Sequence, residues 1–312
     1  MSKLARIALV AALAAAGFGC NQQSATSPAA PAGIIAPTTP DAALAASIKA
    51  LRDNNVAALV ENSLPPPEVV KLKADWSNDM NKDPVTDEDR KEFAEKIAKL
   101  TAPDAEAKMY AQIEPQLKQF DAKSAQQMPM MIAMGQGFAQ SAIAQNKDLS
   151  DAQKAQAQDL LTATAQWAQT TKFTDPTLVK AAIADICKTA RALNLKSLDE
   201  ARALSYDQAM QKAGIVLAGI KQVLAVYGLD MDKALDSVKI ESESASGGAA
   251  NVKVTYTAFG KPFTTQAQMV QVDGRWYGKH AIEQWQKHQT EIAAASAKSA
   301  APAAQPAADT GK

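Results

Sequence analysis

Soft sulfur donors are concentrated at one place in the chain. Met128, Met130, Met131 and Met134 lie within the segment QMPMMIAM. Thioethers suit Cu(I), so M-x-M and M-x-x-M spacings raise copper handling as one chemistry. On a helix, however, Met131, Met134 and Phe138 share a face, and methionine commonly fills irregular cores or adaptable partner grooves. Core or groove is the preferred reading, and no metal site is assigned. The two cysteines, Cys20 and Cys187, are far apart. Cys187 sits beside Ile183 and Ile186 on an apolar helical stripe and has no neighbouring histidine to serve as base. It reads as a buried structural thiol.

Other constellations fail on spacing. His280 and His288 are eight residues apart, about 12 Å of helical rise, whereas a chelating pair needs three or four. Asp79, Asn81 and Asp83 open like a calcium loop, but the positions for the loop glycine and its final glutamate hold Pro84 and Arg90. That segment reads as a helix-to-helix connection. There is no G-x-S-x-G, no glycine-rich phosphate loop and no H-E-x-x-H. No catalytic constellation, and no cofactor beyond a covalent lipid, is expected.

The start of the chain reads as an address. Lys3 and Arg6 precede the apolar run Ile7 to Ala16, followed by Gly17, Phe18, Gly19 and Cys20. A charged start, a short apolar stretch and small residues make a secretory signal peptide, residues 1–19, too short to span a bilayer stably. Gly17-Phe18-Gly19-Cys20 resembles the lipobox of bacterial lipoprotein precursors, although that family usually has leucine where Gly17 stands. The resemblance implies acylation of Cys20, which becomes the mature first residue. With Asn21 rather than aspartate next, it also implies sorting to the outer membrane, anchored in its inner leaflet and facing the periplasm.

Elements follow from composition and period. The chain has 312 residues with 33 basic and 33 acidic side chains, so no field favours nucleic acid. Roughly a fifth of the residues are alanine while aromatics make up 5%, which favours slim-sided helices. Residues 20–40 are rich in Ser, Thr, Ala and Pro and read, after the lipidated cysteine, as a disordered tether. Residues 41–235 carry helical periodicity, with starts at Thr86, Ser150 and Asp175-Pro176. Ala213 to Tyr227 is the most apolar mature segment, yet Lys221-Gln222 interrupts it, so it reads as a buried central helix.

From Ser237 the apolar period becomes two. Gly247-Gly248, Gly260-Lys261 and Asp273-Gly274 mark turns, the last a strong hairpin signal, and the alternation slips near Met269-Val270 as a bulge would. A final helix runs from Ala281 to about Ile292, and residues 293–312 read as a disordered Ala/Pro tail. The VDGRWY segment resembles the closing hairpin of small α+β modules of bacterial envelope lipoproteins, some of them NTF2-like.

The expected fold is mainly α: a multi-helix bundle, then an antiparallel β-meander and a final helix, residues 236–292, packed on the helical domain through Ala213–Tyr227. The expected function is non-catalytic binding or scaffolding, with the membrane engaged through the anchor and an envelope protein as a possible partner. An enzyme acting on envelope polymers or lipids, and Met-based copper handling, are the alternatives.

Overall fold

The computed structural model describes residues 37–300 other than 125, 126 and 148. Cys20, the signal segment and most of the tether lie outside them. The chain is mainly helical with a small C-terminal α+β part. Eleven described helices precede the sheet. They are α1 (Pro40–Arg52), α2 (Val56–Ser63), α3 (Pro66–Asn81), α4 (Asp87–Thr101), α5 (Ala105–Ser124), α6 (Met128–Gln145), α7 (Asp151–Thr170), α8 (Pro176–Leu193), α9 (Leu198–Arg202), α10 (Tyr206–Val226) and α11 (Met231–Asp236). Strands β1 (Lys239–Ser246), β2 (Ala249–Ala258), β3 (Lys261–Val272) and β4 (Arg275–Gly278) form an antiparallel sheet in sequential order, and α12 (Lys279–Ala300) follows.

Local chemistry sets the helix starts. Thr86 and Asp89 form a capping box, as do Ser150 with Gln153 and Ser205 with Gln208, each satisfying two otherwise unpaired backbone donors. The Asp175 carboxylate accepts from the amides of Thr177 and Leu178, with Pro176 in the first turn. At the β3–β4 turn both Asp273 and Gly274 have positive φ, 50° and 78°, the conformation a two-residue hairpin loop requires.

The core divides into three parts. Ala105, Val179, Ile183 and Cys187 join α5 to α8. Val56 and Val60 of α2 pack on Tyr206, Ala209 and Met210 of α10. The third cluster covers the sheet. Ala250, Val252 and Val254 of β2 lie opposite Met269, Ala267 and Thr265 of β3, and Ala43 and Leu44 of α1 seat on this face. The helix covering the sheet therefore comes from the start of the folded chain. By contrast, the main neighbours of α10 are α8, α2, α3 and α11. The α8–α10 crossing is tight: a Cβ on Gly219 would come within 2.2 Å of the Thr189 hydroxyl oxygen.

Three expectations need correction. The bulge is in β1, between Ser242 and Ser244, while β3 pairs with β2 without a break. The charged strand β1 is a sheet edge, where a bulge discourages further pairing. The last helix continues to Ala300, through alanines that favour helix and past the residue-293 boundary set by the tail composition. Finally, α10 extends back to Tyr206 and is only partly covered, with Val216 and Ile220 exposed. Among the described residues it is the one helix long and apolar enough to cross a membrane. It nonetheless buries Lys221 against protein oxygens.

Candidate interaction surface

Among the described residues, four exposed large apolar side chains gather on α6. Its eighteen residues, MPMMIAMGQGFAQSAIAQ, contain no charged side chain. Pro129 stands in the first turn, where a missing N–H costs nothing. Ile132, Gln136, Ala139 and Ile143 are half-buried at intervals of four, three and four, the stripe by which α6 leans on α7, its main contact. The opposite face carries Met130, Met131, Met134 and Phe138, exposed by 69, 57, 70 and 81%. Fully burying a Met or Phe side chain stabilises by about 1.5–3 kcal/mol, so covering this ridge would contribute on the order of 5 kcal/mol.

The base of the helical hairpin formed by α6 and α7 is held firmly. The Trp167 indole N–H donates to the Tyr227 carbonyl oxygen at 2.7 Å. Its ring meets Phe173 edge-on at 5.3 Å and Phe259 at 5.9 Å, and Phe173 meets Tyr227 at 5.3 Å. Lys261 Nζ reaches Gln166 Oε1 at 3.0 Å, and the Thr174 hydroxyl donates to Asp121. These contacts fasten the C-terminal end of α7 to α10 and to the β2–β3 turn. α6 is thereby presented on the outer side of a fixed support.

Met130, Met131 and Met134 are therefore not core. Met128 opens α6, and Met130, Met131 and Met134 lie on a convex ridge rather than in a groove. Periodicity identified the shared face of Met131, Met134 and Phe138 but could not say which way it points. The weaker stripe of Ile132 and Ile143 turned inward instead, with the small Ala139 between them on the side that meets α7.

The remaining candidates are dispersed. Cys187 is fully buried, its thiol 3.6 Å from the Met109 sulfur, and burial raises its pKa. That environment disfavours a thiolate nucleophile. His280 and His288 lie on α12, with His288 beside the Trp285 ring. Asp79 and Asn81 end α3, and the Asp83 carbonyl accepts from Arg202 at 2.9 Å. Among the described residues no group of three or more His, Cys, Asp or Glu is placed to hold a metal ion.

A charged cleft of about 390 Å³ opens between α1, α10 and α11. Its groups pair with one another: Arg52 with Asp236 at 2.7 Å and Asp232 at 3.4 Å, Lys221 with Asp232 at 2.8 Å, Lys233 with Asp230 at 3.0 Å. The Arg52 hydrogen bond holds Asp236 below the usual carboxylate range, and the Lys233 amide does the same for Asp230. Carboxylates held ionised in this way are poor general acids. Lys221 at the centre of the cleft, which in the sequence only interrupts an apolar run, is buried and paired here. Compared with protein-family models, curated proteins and solved structures, the chain matches none.

Proposed function

We propose that this chain is an acylated envelope lipoprotein that faces the periplasm and acts by binding rather than catalysis, with the outer ridge of α6 as its contact surface. The observation that carries the binding role is the charge-free helix with Met130, Met131, Met134 and Phe138 turned to solvent on a firmly based hairpin. Contiguous exposed apolar surface of this kind marks interaction sites in soluble proteins. Support for the anchor comes from the charged start, the apolar run and the Gly17-Phe18-Gly19-Cys20 segment. Doubly or triply acylated termini hold a protein on a membrane stably, where one chain would not.

The test is Cys20→Ala in a bacterium fed an alkyne fatty acid. The wild type should carry the label and fractionate with membranes, and the variant should lose both. A variant that stays labelled and membrane-bound would remove the anchor.

A further inference from the structure

We infer that the α6 ridge docks on the lipid bilayer itself, its apolar side chains entering the boundary between headgroups and acyl chains. The inference rests on the proposed anchoring for its orientation and on three features of α6 for its occupant. The first is shape. α6 packs chiefly on α7 and forms the outer layer of the hairpin, so its ridge is convex and can meet a flat surface. The second is charge. A helix entering the interface must bring no ionised group into hydrocarbon, and none of the eighteen residues of α6 carries one. In the sequence Lys147, Asp148, Asp151 and Lys154 follow α6, two of each sign, so the contact should respond little to salt.

The third feature is size. Met130 to Phe138 cover about 12 Å of helix. On a helix about 10 Å wide that is a strip on the order of 120 Å², well below the roughly 800 Å² per partner of a stable protein interface, so a second copy stacked ridge to ridge would fall short of that size. A bilayer sets no such minimum when the chain is already tethered. Residues 21–39, between Cys20 and the start of α1, span at most roughly 65 Å when extended. A surface within that reach sees α6 at high effective concentration, and a weak contact becomes effective.

The experiment uses the full anchored chain with Met134→Cys, labelled with an environment-sensitive fluorophore. Cys187 is buried and Cys20 acylated, so only the new thiol reacts. The chain is reconstituted in phosphatidylethanolamine–phosphatidylglycerol vesicles, and Ser244→Cys, on the exposed strand β1, serves as control. The label at position 134 should emit at shorter wavelength and be quenched by nitroxide-bearing lipid, while the control stays aqueous. Adding Phe138→Ser should reverse both effects at position 134. Aqueous emission at position 134 overturns the proposal. A blue shift that nitroxide lipid does not quench, and that fades on dilution, also overturns it and assigns the ridge to a second copy.

Mass spectrometry of the same preparation reads acylation separately. An unacylated chain would refute the anchor, and added to vesicles from outside it would still report whether α6 enters lipid.

Discussion

The ammonium group of Lys221 lies 2.8 Å from Asp232 Oδ1 and donates to the carbonyl oxygens of Leu51 at 2.6 Å and Arg52 at 3.2 Å. One side chain thus joins α10 to α11 and caps the C-terminal end of α1, where unpaired carbonyls and the helix dipole favour a cation. Lys221 is only 4% exposed, whereas Asp232 keeps access to water. Lys221→Met should fit the apolar surroundings yet leave those carbonyls without a donor. We expect a loss of about 3 kcal/mol, the lower end for breaking a buried pair, since Asp232 retains Arg52. Urea melts check it, and a wild-type midpoint would refute the capping role.

Tyr206 offers the opposite case. Its ring meets Trp76 edge-on at 5.6 Å and lies under Lys73 Nζ at 5.2 Å, but its buried hydroxyl has no partner. Burial first, then Glu61 and Asp207, push its pKa up to about 12. Tyr206→Phe keeps the ring contacts and removes an unsatisfied polar group, so stability should stay level or rise by about 1 kcal/mol. Tyr206→Ala should cost about 3–5 kcal/mol. Thermal unfolding of the two variants separates them, and a large loss in the phenylalanine variant would mean the hydroxyl is bonded.

What the sequence made legible was whatever local chemistry decides. Thr86, Ser150 and Asp175 announce helix starts because a side-chain oxygen three residues before a free amide is a short-range signal. Asp273-Gly274 announces its turn for the same kind of reason. Placement of α1 on the sheet was not legible, since nothing near Ala43 or Leu44 points to Val252, some two hundred residues on. The ridge of α6 was half legible: its period shows in the sequence, but its outward direction depends on α7 packing on the inner stripe.

That outward direction has an energetic consequence. Exposed side chains away from special features change stability by no more than about 0.5 kcal/mol when replaced. Met131→Ser with Met134→Ser should therefore melt close to wild type. Met269→Ala, in the sheet core at 3% exposure, should lose about 2–5 kcal/mol. If the double serine variant unfolded early, the ridge would be covered within the molecule.

Glu106 and Arg191 bridge α5 and α8 through two hydrogen bonds, at 2.6 and 2.9 Å. The guanidinium holds Glu106 at about 2, down from 4.5. A carboxylate depressed in the folded state contributes stability above its unfolded pKa, and that contribution fades as pH falls toward the folded value. Both groups are partly exposed, so solvent screening makes the contribution modest. Chemical melts of the wild type and Glu106→Gln should differ near neutral pH and converge between about 4.5 and 2. A constant difference across that window would mean the pair acts through packing instead.

The α8–α10 crossing gives the sharpest steric test. A methyl at position 219 would stand 2.2 Å from Thr189 Oγ1, 2.7 Å from its methyl and 3.0 Å from its Cβ. Thr189 cannot simply rotate away, because its hydroxyl donates to the Asp185 carbonyl at 2.7 Å, a bond one rotamer makes well. Gly219→Ala gains helix propensity of about 1 kcal/mol in isolation. The clash should outweigh that gain and give a net loss of about 1–3 kcal/mol through overpacking. Thr189→Ala deletes the two nearest atoms and leaves only the Cβ contact. The double variant should therefore recover most of the loss, with a coupling of about 1 kcal/mol or more in the mutant cycle. If Gly219→Ala alone raised the melting temperature, the two helices would not approach as closely as the geometry requires.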